Sequence, residues 1–260
     1  MSWSRICGVF FRYGYAWRRG SYFIAELFYW PFVDVLLWGI TSIWIQQQNN
    51  APDLPLILMT GLIFWQITTR GATDISVNLL QEFWNRNLVN LFSTPLRMCE
   101  WVTGVLLLGL CKLVVTVGFG ALVVYFLYAL NVFTVGWAFL PFAVCLMLFG
   151  WIVSLLAAST IIYWGQRMEA IAWIIAFFFA PFSAVFYPVS VLPAWAQLIS
   201  WSLPTTYIFE GMRQILATGS FAPNYFWASL ALNGVYLVLS YYLFLFAFKK
   251  SHAKGLARLE

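Results

Sequence analysis

The usual catalytic side chains are scarce in this chain, so any chemistry falls to charges set in apolar sequence. The single histidine, His252, lies in the polar tail after the last apolar run. A Ser-His-Asp triad, an HExxH zinc site and a haem ligand pair all need imidazole at a structured position. No Gly-Lys dipeptide occurs, which removes the Walker A phosphate loop. Cys7, Cys99, Cys111 and Cys145 have neither CxxC nor zinc spacing and lie in or near apolar runs, so they read as reduced packing residues. What remains is a short set of charges. Asp34, Arg70 and Lys112 sit within apolar stretches, with Asp74 one turn beyond Arg70. Glu82 and Arg86 are four apart in the acid-first order that favours pairing on a helix. Glu210 and Arg213 are one helical turn apart.

The elements that must position these groups follow from composition. Of 260 residues, 63% are hydrophobic and 9% charged, and mean hydropathy is +0.82. A soluble fold could not cover its surface with 14 Lys/Arg and 9 Asp/Glu. The expected class is an all-α integral membrane protein, one transmembrane domain over 1–260. A net charge of +5 is small for nucleic-acid binding, and no nucleic-acid partner is expected. Six segments approach the roughly 20 apolar residues a span needs: 22–45, 56–78, 101–130, 137–164, 170–187 and 225–248. Between the last two, Pro188, Pro193, Pro204 and Pro223 interrupt the chain. Proline stops helices, so 194–203 and 205–217 predict two short helices in a re-entrant region, 188–217.

Lysine and arginine set the orientation. Arg5, Arg12, Arg18, Arg19, Arg86, Arg97, Arg167, Lys249, Lys250, Lys254 and Arg258 fall on one side, against Arg213 on the other. Both termini are therefore expected in the cytoplasm, as six spans require. Residues 1–19 lack the short apolar core and small-residue site of a cleavable signal. Trp3, Ile6, Phe10, Tyr13 and Trp17 share one helical face opposite Arg5, Arg12 and Arg19, which predicts an interfacial helix against anionic lipid headgroups. Such a helix can anchor the first span or guide a lipid-like substrate.

Two further segments are informative. In 79–92, Leu80, Trp84, Leu88 and Leu91 form an apolar stripe, with Glu82, Asn85 and Arg86 pointing away. A helix there can rest on the membrane or insert into a motor protein. In the second, Phe186-Tyr187-Pro188 leads through Leu192-Pro193 and Leu203-Pro204-Thr205 to Glu210-Gly211-Met212-Arg213. Glu210 and Arg213 there can cap a hairpin or meet a passing substrate.

Together these segments resemble the permease subunit of type-2 ABC exporters. Asn90-Leu91-Phe92-Ser93-Thr94-Pro95-Leu96-Arg97 with Glu100 looks like that family's segment after its coupling helix. The 186–213 segment resembles its re-entrant region before the last span. No EAA-type importer loop is present. The resemblance implies that 80–92 is a coupling helix, with Glu82, Phe83, Trp84, Asn85, Arg86 and Asn87 contacting a separate ATPase subunit. It implies two copies of that subunit, a second permease copy in a homodimer, a prokaryotic plasma (inner) membrane, and no cofactor on this chain, ATP and Mg belonging to the partner. The family moves polysaccharides, lipid-linked glycans, drugs and lipids. Aromatic faces stack on sugar rings, so a glycan, glycolipid or other amphipathic substrate is expected. The alternatives are a drug or lipid exporter and, in a different class, an intramembrane enzyme or channel. Candidate path or gating residues are Asp34, Lys112, Phe178, Phe182, Phe186, Tyr187, Tyr207, Glu210 and Arg213. At 1.5 Å per residue Asp34 and Lys112 lie about 18 and 17 Å deep. That equal depth predicts that they pair, while Arg70 lies within reach of Asp74 and Glu26.

Overall fold

The computed structural model of the chain describes residues 1–18, 25–49 and 52–253. Arg19, the first-span residues 22–24, Lys254 and Arg258 lie outside the described residues, as do the side chains of Trp17 and Arg18. Among those described every regular element is helical, as the apolar runs require when no water can satisfy backbone groups.

Helix α1 spans Trp3–Arg18. A π-helical turn, Ala25–Tyr29, leads into α2, Trp30–Asn49. Then come α3, Leu54–Trp84, the short α4, Leu88–Ser93, and α5, Met98–Tyr128. A 3-10 segment, Val132–Ala138, precedes α6, Phe139–Trp164. The remainder is α7, Ile171–Phe179; α8, Ala194–Ser202; α9, Pro204–Thr218; and α10, Pro223–Ala253. The proline-bounded pair expected at 194–203 and 205–217 is thus α8 and α9.

By length and apolar composition four helical stretches can cross a membrane: Ala25–Gln48, Met98–Tyr128, Val132–Trp164 and Pro223–Ser251. The other two expected spans look different. The second does not stop at residue 78. α3 continues to Trp84, about 46 Å in all, and carries too many polar residues to match the other four in apolarity. The fifth, expected as one helix over 170–187, is split. α7 ends at Phe179, Ala180–Phe182 is 3-10, and Ala184 turns left-handed at φ 55°. Pro181 has no N–H for the helical ladder. The helical part covers about 20 Å, short of a typical hydrocarbon core of about 30 Å.

α3 and α6 form the central crossing. Gly71 and Gly150 meet there: a Cβ on Gly150 would lie 2.6 Å from the Thr68 carbonyl and 2.8 Å from the Gly71 Cα. Small residues let membrane helices approach to backbone distance. The Ser154 hydroxyl of α6 accepts from the Ile75 and Ser76 N–H groups at 2.9 and 3.1 Å. Two large apolar cores stack along this axis, with a smaller one around Ala72, Phe149, Val153 and Ala176 beside them. One, including Leu62, Phe64, Phe142, Ile208 and Phe209, lies at the end carrying the α8–α9 hairpin. The other, including Tyr13, Phe83, Leu88, Trp101 and Phe244, lies at the arginine-rich end. α1 packs on α5 in that second core, Val9 seated over Gly104.

Candidate functional site

The chemistry concentrates on α3. Gln66, Arg70, Asp74, Asn78 and Glu82 recur every four residues, a spacing that keeps them on one slowly turning stripe of the helix. This regularity stands in the sequence, where its charged members are the conspicuous ones. Its partners come from different elements and could not be read there.

Arg70 pairs with Glu26 of the π-helical turn at 2.9 Å, each side chain 14% exposed. This is the second of the two neighbours expected for Arg70. Asp74 instead has Lys112 on α5 as a charged neighbour, both buried. Gly109 makes that approach possible, since a Cβ there would overlap the Asp74 carboxylate. The expected Asp34–Lys112 pair is therefore not the one formed. Asp34 has Arg70 as its charged neighbour. The two residues have matching depth, but Asp34 lines a cleft that Lys112 does not reach.

Asp34, Glu26 and Arg70 line a cleft of about 530 Å³ between α2, α3 and α7. Gln66, Thr69 and Thr73 of α3 share its floor, and Trp30, Trp173 and Phe177 its apolar walls. Gln66 is buried, and neither end of its amide has a partner among the described residues. Of the expected path residues only Asp34 reaches this cleft. Phe178 is exposed beside it, and Phe177 lines it in its place.

The remaining candidates build the hairpin end. Phe186 stacks on Trp38 at 4.0 Å, and Phe182 meets Trp195 edge-on. The Tyr187 hydroxyl donates to the Pro181 carbonyl at 2.6 Å and the Tyr207 hydroxyl to that of Trp201 at 2.9 Å. Glu210 accepts the Val189 N–H at 2.8 Å and pairs with Arg213 at 3.1 Å. These contacts fasten the hairpin to itself and to α2.

At the arginine-rich end the expected helix 80–92 is two pieces. α3 closes with paired bonds from Arg86 N–H to the Phe83 carbonyl and from Asn87 N–H to that of Glu82, with Arg86 left-handed at φ 49°. This is the Schellman ending, which halts a helix and reverses the chain. Glu82 and Phe83, expected to face an ATPase, are buried. The apolar stripe pulls the turn inward through Leu80, Leu88 and Leu91, while Trp84 turns outward and donates its indole N–H to Glu169 at 3.0 Å. Glu82 accepts from Arg12 at 2.8 Å on both oxygens, from the Tyr13 hydroxyl at 2.5 Å and from the Asn87 amide at 2.6 Å. Burial, then the adjacent carboxylate, raises the Tyr13 pKa and keeps that hydroxyl a donor. The exposed surface of the turn is Trp84, Asn85 and Arg86, with Asn87 half-buried.

Among curated proteins nothing matches the chain. The family described as ABC-2 type transporter matches residues 15–217, from the end of α1 through α9.

Proposed function

Because the chain belongs to the ABC-2 type transporter family, we propose that it is the membrane subunit of an ATP-driven exporter and that the α2–α3–α7 cleft is its substrate path. The observation that carries this reading is the continuity of α3. The same helix bears the polar floor of the cleft and ends in the exposed Trp84–Arg86 turn, about 24 Å away from Arg70 to Arg86.

A motor subunit that grips this turn moves the cleft floor without any chemistry on this chain. ATP and Mg sit on that partner, in two copies, and a second permease copy completes a homodimer. The arginine-rich end faces the cytoplasm of a prokaryotic cell, and the α8–α9 hairpin faces outward. The ATPase contact is redrawn on Trp84, Asn85, Arg86 and Asn87, since Glu82 and Phe83 hold the turn from behind. The substrate is amphipathic. Its polar head rests on the charged floor, and its apolar part or sugar face lies on Trp30, Trp173 and Phe177. A glycan or glycolipid meets that description, as does a drug or lipid.

Co-expression with a candidate ATPase subunit tests the reading. A stable complex with vanadate-sensitive ATP hydrolysis is expected, and Asn85→Ala with Arg86→Ala should abolish substrate stimulation while leaving membrane insertion intact. Unaltered stimulation in that double variant would remove the turn from the coupling path.

A further inference from the structure

We infer that the cleft selects amphipaths whose head carries a positive charge, an organic ammonium or similar cation. The inference takes from the export reading only the idea that the cleft meets a substrate; its charge preference is a property of the lining.

Among the described lining residues the charged groups are Glu26, Asp34 and Arg70. Glu26 and Arg70 neutralise one another across 2.9 Å. One guanidinium cannot balance two carboxylates, and Lys112, the cation nearest in depth, does not line the cleft. The described lining therefore carries one negative charge in excess, at half-buried Asp34.

The polar groups beside it are unevenly engaged. The Thr69 hydroxyl donates to the Trp65 and Gln66 carbonyls at 3.2 Å, and that of Thr73 to the Arg70 carbonyl at 3.0 Å. Both are spent on their own helix. The Gln66 amide is buried with neither end engaged, and its oxygen lies against Gly120 of α5, so it offers the cleft no charge to offset Asp34. The walls are the rings of Trp30, Trp173 and Phe177, whose faces attract cations, tryptophan most strongly. An anion entering here meets the negative charge in excess that one shared guanidinium leaves on the described lining. A neutral glycan leaves that carboxylate unpaired. A cation satisfies it and gains the ring faces as well. About 530 Å³ is within the usual size of a small-molecule site.

Equilibrium binding of radiolabelled tetraphenylphosphonium to the purified full chain in zwitterionic lipid nanodiscs tests this, with tetraphenylborate as a competitor of the same shape and opposite charge. Saturable binding is expected, with tetraphenylborate competing at least about tenfold less well than the unlabelled cation. Asp34→Asn should weaken cation binding about tenfold, and Asp34→Glu should retain it, a tenfold change corresponding to about 1.4 kcal/mol. No saturable binding, equal competition by the anion, or unchanged affinity in Asp34→Asn would overturn the inference. If Asp34→Asn does not fold, the comparison of the two ions on the unaltered chain decides alone. Cation binding without ATPase-coupled transport would remove the export reading and leave the charge preference standing. Coupled transport of an uncharged substrate without cation binding would do the reverse.

Discussion

Removing Arg12 should strand the buried Glu82 carboxylate, and neutralising Glu82 in the same chain should return part of the loss. Breaking a fully buried pair from one side costs about 3–5 kcal/mol, whereas an exposed pair contributes about 1 kcal/mol or less. Here Glu82 is 2% exposed and Arg12 43%, so water reaches one flank of the pair only. The expected cost of Arg12→Met lies between those limits, at about 2 kcal/mol. Adding Glu82→Gln removes the stranded charge, while its amide oxygen still accepts from Tyr13. The double variant should recover about 1 kcal/mol, a typical net hydrogen-bond-scale quantity. For a chain of this size each kcal/mol moves the melting temperature by about 2–4 °C. Arg12→Met should therefore melt about 4–8 °C lower, and the double variant about 2–4 °C above it. Thermal unfolding in detergent followed by tryptophan emission reads the melt of the whole chain, whose 15 tryptophans include buried Trp101, donor to the Tyr13 hydroxyl at 2.8 Å. A double variant that melts at or below Arg12→Met would refute the argument. It would mean that α1 is held by its apolar seat on Gly104 rather than by charge.

The Asp74–Lys112 pair should behave similarly but more severely, since both residues are buried: Asp74→Asn or Lys112→Met alone should lower the yield of folded protein more than the double variant does, and gel-filtration yields would show otherwise if the two act separately. Gly150→Val should destabilise by at least about 1–3 kcal/mol by forcing the α3–α6 crossing apart. Gly118→Ala, with nothing within 4 Å of the new Cβ, should melt no lower than the parent chain; equal losses at both positions would show that the crossing is not the cause. Tyr13 has its pKa raised above the ordinary 10.0, so above that pH the unfolded chain releases a proton that the folded chain retains. Stability should fall as pH rises beyond about 10, and Tyr13→Phe should flatten that alkaline decline, a comparison of melting against pH being enough to decide.

Much of the architecture was legible because proline and apolarity act locally. Pro193, Pro204 and Pro223 delimit α8, α9 and the start of α10 wherever the chain is folded, since a missing N–H is felt within one turn. The long apolar runs that became α5, α6 and α10 needed no partner to be recognised as helices suited to a membrane. The fifth stretch departs from a single helix at Pro181, whose missing N–H interrupts a run that apolar length alone would carry to residue 187. The end of α3 is not legible in the sequence because Arg86 adopts a left-handed turn usually taken by glycine, and nothing in its side chain announces that. The tertiary structure alone decided which charges meet. Asp34 and Lys112 have matching depth and opposite sign, and two isolated helices would give no reason to keep them apart. Gly109 opens a gap on α5 that admits Asp74, the π-helical turn brings Glu26 to Arg70, and Asp34 is left facing the cleft. Depth along a helix follows from counting residues, but the direction of a side chain is set by the neighbours that pack around it.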